Sequence, residues 1–77
     1  MAESERYKIR AYVGCFDGEL IFREHVGEGE VPELGKDIEL EKFIGILVPH
    51  VVVARQMCLV DDWKKYGGRP IIWTEPK

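Results

Sequence analysis

The stretch Tyr7–Val26, YKIRAYVGCFDGELIFREHV, decides the fold because it encodes a β-hairpin together with its register. Two runs rich in β-branched and aromatic residues flank Asp17-Gly18, a dipeptide that favours the positive φ angles of a two-residue type I′ turn. Such a turn pairs Phe16 with Glu19 and sets the pairing of every residue along both strands. The sequence therefore predicts a hairpin with two distinguishable faces.

Counting outward from the turn divides this hairpin into an apolar face and a basic, aromatic face. The apolar face is predicted to carry Tyr7, Ile9, Ala11, Val13 and Cys15 opposite Leu20, Phe22, Glu24 and Val26. The basic face is predicted to carry Lys8, Arg10, Tyr12 and Phe16 opposite Ile21, Arg23 and His25. A slip of one residue would exchange the two sets, so the apolar pattern supports this register.

The next part of the chain predicts a loop and two helices. Residues 27–36, rich in glycine, proline and glutamate, are expected to form a long loop. A first helix is predicted to begin at Asp37, a suitable N-cap, and to end before Pro49. The apolar spacing of residues 50–66 predicts a second helix. A strand at Val51–Val53 is the alternative, because consecutive β-branched residues favour sheet.

The whole pattern indicates an α+β fold in the order ββααβ. Residues 69–75 are expected to form the last strand, which completes a three-stranded antiparallel sheet with both helices packed on one face. Residues 1–5 are predicted to be a disordered lead, and residues 6–77 are predicted to form a single domain. The basic, aromatic face of the hairpin would then remain open to solvent.

Length and charge restrict the class of protein without selecting a partner. The chain has 77 residues and a formal net charge of −3, which counts against broad phosphate binding, because nucleic-acid-binding domains usually carry a clear basic excess. The polar N-terminus does not resemble a signal peptide, and no run approaches the roughly 20 apolar residues of a membrane span, so we expect a cytoplasmic protein without membrane contact. Size and acidic balance match those of small inhibitors that phages encode, an analogy of size and charge alone.

Cationic side chains alternate with aromatic ones on the basic face, and this pattern predicts a binding surface. The residues expected to bind are Lys8, Arg10, Tyr12, Phe16, Ile21, Arg23 and His25, with Glu28, Glu30 and Glu33 as a second, acidic patch. Such a face could hold an acidic protein surface, or phosphates with bases stacked on the rings, or it could simply be solvated.

No motif in the chain predicts catalysis, a metal or a cofactor. Cys15, His25, His50 and Cys58 are the right residue types for zinc, but their spacings do not fit a zinc site. The two cysteines are expected to be free thiols.

The leading hypothesis is therefore a non-catalytic binding module that docks on a larger protein or ribonucleoprotein, as an inhibitor or adaptor. Binding of single-stranded nucleic acid by the basic face is the alternative. Homodimerisation is a further way to cover exposed apolar residues.

Overall fold

The computed structural model describes residues 5–43 and 45–77 and shows a mostly β chain. The strands are β1 (Arg6–Phe16), β2 (Glu19–Glu28), β3 (Asp37–Phe43), β4 (Ile46–Gln56) and β5 (Ile71–Pro76). They form one five-stranded sheet in the order β2-β1-β5-β4-β3, in which β1 and β5 are parallel and the other neighbours are antiparallel. The lead predicted for residues 1–5 lies, for its first four residues, outside the described part of the chain.

One short helical segment connects β4 to β5. It consists of a 3₁₀ turn, Val60–Asp62, followed by a single α-helical turn, α1 (Trp63–Tyr66). Gly67 ends α1 in the left-handed conformation, with a φ of 63°. Glycine is favoured at this position after a helix, because the left-handed conformation is strained for a residue with a Cβ atom.

The predicted three-stranded sheet with two helices is wrong, because Asp37–Phe43 and Ile46–Gln56 form the antiparallel strands β3 and β4 instead. Gly45 lies in the turn between them with a φ of 79°. The valines alternate as in a strand, since Val52 is 2% exposed and Val53 is 39% exposed. A nearly continuous apolar run fits a helical wheel as well as a strand, and its sheet partners decide between them. The strand alternative at Val51–Val53 is the correct one.

The β1–β2 hairpin turns where its sequence predicts. Asp17 and Gly18 have φ values of 51° and 78°, as a type I′ turn requires, and Phe16 pairs with Glu19. Beyond the turn, the register shifts by one residue between Tyr12 and Gly14. The extra residue is a β-bulge, and it exchanges the faces of everything that follows.

The bulge at Val13 makes the predicted two faces of β2 wrong beyond the first three pairs. Tyr12 pairs with Phe22, and Ala11 pairs with Arg23, one residue off the predicted register. Paired residues of neighbouring strands share a face. We call the two faces of the sheet the inner face, which carries Ile9, Ala11, Arg23 and His25, and the helix face, which carries Lys8, Arg10, Tyr12, Phe22 and Glu24.

The sheet curls around its inner face, where the main core lies. This core contains Tyr7, Ile9, Ala11, Leu40, Val52 and Ile72, with Val31 and Ile38 packed against it. The cluster runs across the sheet from Ile9 and Ala11 on β1 through Ile72 and Val52 to Leu40 on β3. Residues of both hairpins also line one cleft on this face, so the sheet curves around it. At the margin of this core, Gly27 leaves room for the Tyr7 ring, because a Cβ atom there would lie 2.3 Å from the Cζ atom of Tyr7.

Both hairpins extend past the carboxyl end of β5. Ala11 is level with Thr74, so the last residues of β1 run beyond the end of β5. His50 is level with Pro76, so the first residues of β4 run beyond the same end. The turns of both hairpins therefore project in one direction. We call this region the twin-hairpin end and define it by Val13, Phe16, Ile46, Leu47 and the cleft between the two hairpins.

Candidate functional site

The helical segment covers the part of the helix face around Lys8, whereas Phe22 and Glu24 on the same face remain exposed. The Lys8 ammonium lies 2.6 Å from a carboxylate oxygen of Asp62, in the 3₁₀ turn, and 3.5 Å from Glu24. The hydrogen bond to Asp62 is the main cause that raises the pKa of Lys8. The ring of Tyr66 lies under the same ammonium, with its centroid 5.9 Å away. Lys8 therefore links the helical segment to the sheet.

The aromatic residues of the helix face pack on one another. The Trp73 ring centroid lies 5.0 Å from that of Tyr12 and 5.1 Å from that of Phe22. The Arg10 guanidinium stacks over Phe22 and Trp73, at 4.8 Å and 5.2 Å from the ring centroids. Its Nε donates a hydrogen bond to Glu24 at 3.2 Å. The three rings and the guanidinium contact one another, so the prediction of an open binding face is wrong around Arg10 and Tyr12.

Glu24 was expected on the apolar face, where an unpaired carboxylate would be costly. The bulge moves it to the helix face, between Lys8 and Arg10. An expected conflict is thereby removed, since the carboxylate lies beside two cations.

Arg23 and His25 lie on the inner face and line a cleft between the two hairpins. The first hairpin contributes these two side chains together with Ala11, Tyr12 and Val13. The second hairpin and the end of β5 contribute Leu40, Glu41, Val48, His50 and Pro76. The cleft has a volume of about 180 Å³ and mostly apolar walls. Two imidazoles, one guanidinium and one carboxylate are its polar groups.

The two histidines of the cleft have different environments. Burial lowers the pKa of His25, nearby His50 and Arg23 lower it further, and Glu41 opposes them. His50 is buried, and its Nδ1 lies 2.8 Å from the Val48 carbonyl oxygen. A ring nitrogen that donates to a carbonyl leaves Nε2 as the acceptor of the neutral ring. The cleft can therefore both accept and donate hydrogen bonds to a group that enters it.

Exposed apolar side chains also lie on both hairpins at this end of the sheet. Val13, which lines the cleft, and Phe16, Ile46 and Leu47 are between 53% and 68% exposed. Leu20 and Ile21 on β2 are also exposed.

The predicted acidic patch lies at the opposite end of the molecule. Glu28 ends β2 and lies 3.7 Å from Arg6, while Glu30 and Glu33 are exposed in the connection to β3. The Gly29 amide donates to the Glu5 carbonyl, and Arg69 donates to the Gly29 carbonyl at 2.8 Å. The structure thus separates the predicted site residues into three places, and of these residues Tyr12, Arg23 and His25 line the cleft.

The cleft offers little for covalent chemistry. Neither Cys15 nor Cys58 lines it, and both thiols are free. Within residues 5–43 and 45–77, no group of three or more histidine, cysteine, aspartate or glutamate side chains could hold a metal ion. What the cleft can do is hold a side chain in an apolar slot with polar groups at its rim.

His50 and Glu41 were missed as cleft residues because residues 37–56 were interpreted as helical. Alternation of apolar and polar residues in Asp37–Glu41 was the available signal, since a period of two indicates a strand. Interpreting this segment as a strand would also have placed Ile46 and Leu47 in a hairpin.

No helix of the described residues has the length and apolarity needed to cross a bilayer. Comparison with protein-family models, with curated proteins and with solved structures finds no match to this chain.

Proposed function

We propose that this chain is a small, non-catalytic binding module of the cytoplasm that docks on a larger protein through the twin-hairpin end. The observation that carries the proposal is an apolar cleft between the two hairpins, together with exposed Val13, Phe16, Ile46 and Leu47 on the segments that project beyond β5. Leaving such residues in water forgoes the free energy of burying them, which is about 25 cal/mol per Å² of apolar surface. A partner surface that covers them would recover it.

The chemistry of the cleft indicates what the partner offers. Its walls are apolar, and its volume of about 180 Å³ suits one inserted aliphatic or aromatic side chain. Arg23 and His25 at its rim can donate hydrogen bonds to carbonyl or carboxylate oxygens of the partner, and Nε2 of the neutral His50 ring can accept one from a partner N–H or O–H group. The partner we infer is therefore a protein segment with an apolar anchor residue. An inhibitor or adaptor role agrees with such docking.

Binding of single-stranded nucleic acid has less support. The cations expected to hold phosphates, Lys8 and Arg10, already lie beside Asp62 and Glu24. The Tyr12 ring, expected to stack on a base, packs against Trp73. A phosphate backbone would have to compete with these carboxylates.

Affinity capture with matched variants tests the proposal. The wild-type chain, the double variant Phe16→Asp/Leu47→Asp and the control Val60→Asp are immobilised and exposed to lysate of the native host, with and without nuclease treatment. Val60 is an equally apolar residue, 90% exposed and distant from the cleft, in the 3₁₀ turn. Circular dichroism establishes that each variant is folded.

We expect a protein partner that is captured by the wild type and by Val60→Asp and is lost with the double variant. Equal capture by all three chains contradicts the proposal. Capture that disappears with nuclease treatment supports the nucleic-acid alternative instead.

A further inference from the structure

The outer edge of β2 is an unprotected sheet edge. β2 and β3 are the two edge strands of the sheet. The exposed residues of β3 include Asp37, Glu39 and Glu41, and such charges discourage pairing with another strand. β2 also exposes charges at Glu19, Arg23, Glu24 and Glu28, but its first half contains the apolar run Leu20–Phe22, all exposed, with no proline. Of the two edges, β2 is thus the one built for pairing.

The backbone of β2 offers regular hydrogen-bonding groups along this edge. The residues that flank a two-residue turn, Phe16 and Glu19, form a hydrogen-bonded pair. Hydrogen-bonded and non-hydrogen-bonded pairs then alternate along an antiparallel strand. The bulge inserts its extra residue in β1 and leaves the alternation of β2 intact. Leu20, Phe22 and Glu24 therefore direct their N–H and C=O groups away from β1.

We propose that β2 pairs antiparallel with β2 of a second copy of this chain, with Ile21 at the two-fold axis. Symmetry requires that one residue lies opposite its own copy, because the axis is perpendicular to a sheet that continues through both copies. Leu20 then lies opposite Phe22 of the second copy. Arg23 lies opposite Glu19 of the second copy, so the charges at the two ends of the apolar centre are complementary.

Charge and polarity exclude the neighbouring registers. Placing Arg23 or Glu24 on the axis sets like charges directly opposite each other, which destabilises the pair. Placing Phe22 on the axis sets Leu20 opposite Glu24. Only the register centred on Ile21 matches apolar with apolar residues and Arg23 with an acidic residue.

The pairing joins two five-stranded sheets into one continuous sheet. Because both copies use the same edge, the assembly stops at two copies. Phe16, Ile46 and Leu47 are not part of the pairing. The dimer therefore presents two docking surfaces of the kind proposed above, and its existence does not depend on them.

Sedimentation equilibrium of the purified chain over a wide concentration range tests the pairing. We expect a monomer–dimer equilibrium with no larger species. Ile21→Glu should raise the dimer dissociation constant at least tenfold, because two carboxylates would meet at the axis. The matched control Val60→Glu changes an exposed apolar residue away from β2 and should leave the constant unchanged.

Disulfide trapping tests the register in a Cys15→Ser background, since Cys58 is buried. Ile21→Cys should form a covalent dimer under mild oxidation faster than Phe16→Cys, because the Cα atoms of a non-hydrogen-bonded pair lie about 4.5 Å apart. A strictly monomeric wild type, or a dimer that Ile21→Glu does not weaken, overturns the proposal. Faster trapping at Phe16 overturns the register.

Discussion

Lys8 and Asp62 form the contact that ties the helical segment to the sheet. Their side chains are only 13% and 16% exposed, and the ammonium nitrogen lies 2.6 Å from the carboxylate oxygen. An ion pair in this setting is screened less by water than a surface pair. Removing Asp62 takes away the shorter of the two ion pairs of Lys8 and leaves Glu24, at 3.5 Å, as its other acidic neighbour.

Asp62→Asn should therefore lower the free energy of unfolding by about 1–3 kcal/mol, the range for a hydrogen bond to a charged group. Asp37→Asn is the matched control, because Lys77 lies 2.8 Å from Asp37 in an exposed pair. The control should cost at most about 1 kcal/mol. Urea denaturation monitored by circular dichroism measures both. An equal loss in the two variants would show that the Lys8 contact has no special weight.

His25 makes stability depend on pH. Its pKa in the folded chain lies below the ordinary value of 6.5, chiefly because of burial. The unfolded chain then binds more protons near and below pH 6.5, so stability is full above that pH and decreases as pH falls through the folded pKa. The urea midpoint should decrease between pH 7.5 and pH 5.5.

His25→Gln should reduce this decrease, because glutamine does not titrate. The comparison of the two slopes separates His25 from the general effect of protonating carboxylates. A variant whose pH dependence equals that of the wild type would assign the effect to other groups.

Val13 is the bulge residue, and it determines which residues of β1 and β2 share a face of the hairpin. The sequence predicted the turn correctly, since Asp-Gly chemistry is local. A bulge is not local, because it depends on how β1 meets β5 and β2 together. Arg23 and His25 were for this reason predicted on the same face as Tyr12, which the structure places on the other face.

At the scale of elements, residue propensity and apolar periodicity favour different secondary structures for the segment that forms β4. Its valines favour sheet, yet the wheel over residues 50–66 favoured a helix. The segment is a strand because it pairs with β3 on one side and with β5 on the other, and such long-range pairing cannot be read from the local sequence. The end of the predicted helix at Gly67 was correct because a C-terminal glycine acts within one turn.

Alanine substitutions along β4 distinguish strand from helix. Val52→Ala should cost about 2–4 kcal/mol, because it removes buried methyl groups from the core. Val53→Ala, at the exposed neighbour, should cost less than about 1 kcal/mol. A helix would place both on one face and make their costs similar. Thermal or urea unfolding of the two variants gives the comparison.

At the scale of the whole molecule, the proposed function depends on two hairpins that end on the same side. The parallel pairing of β1 with β5 produces this arrangement, because it directs the β1–β2 turn past the carboxyl end of β5. Sequence analysis predicted Arg23 and His25 as binding residues, and the structure places both in the cleft, but it did not predict the second wall. That wall contains Leu40, Glu41, Val48 and His50, in segments that the sequence predicted to be helical.

Nuclear Overhauser contacts of the isotope-labelled chain test this arrangement most directly. We expect backbone proton contacts that join Ala11 of β1 to Thr74 of β5, and contacts that join Thr74 to Val52 of β4. Helical contacts between residues three apart throughout 50–60, with none between β1 and β5, would contradict the curled sheet and the cleft that it forms.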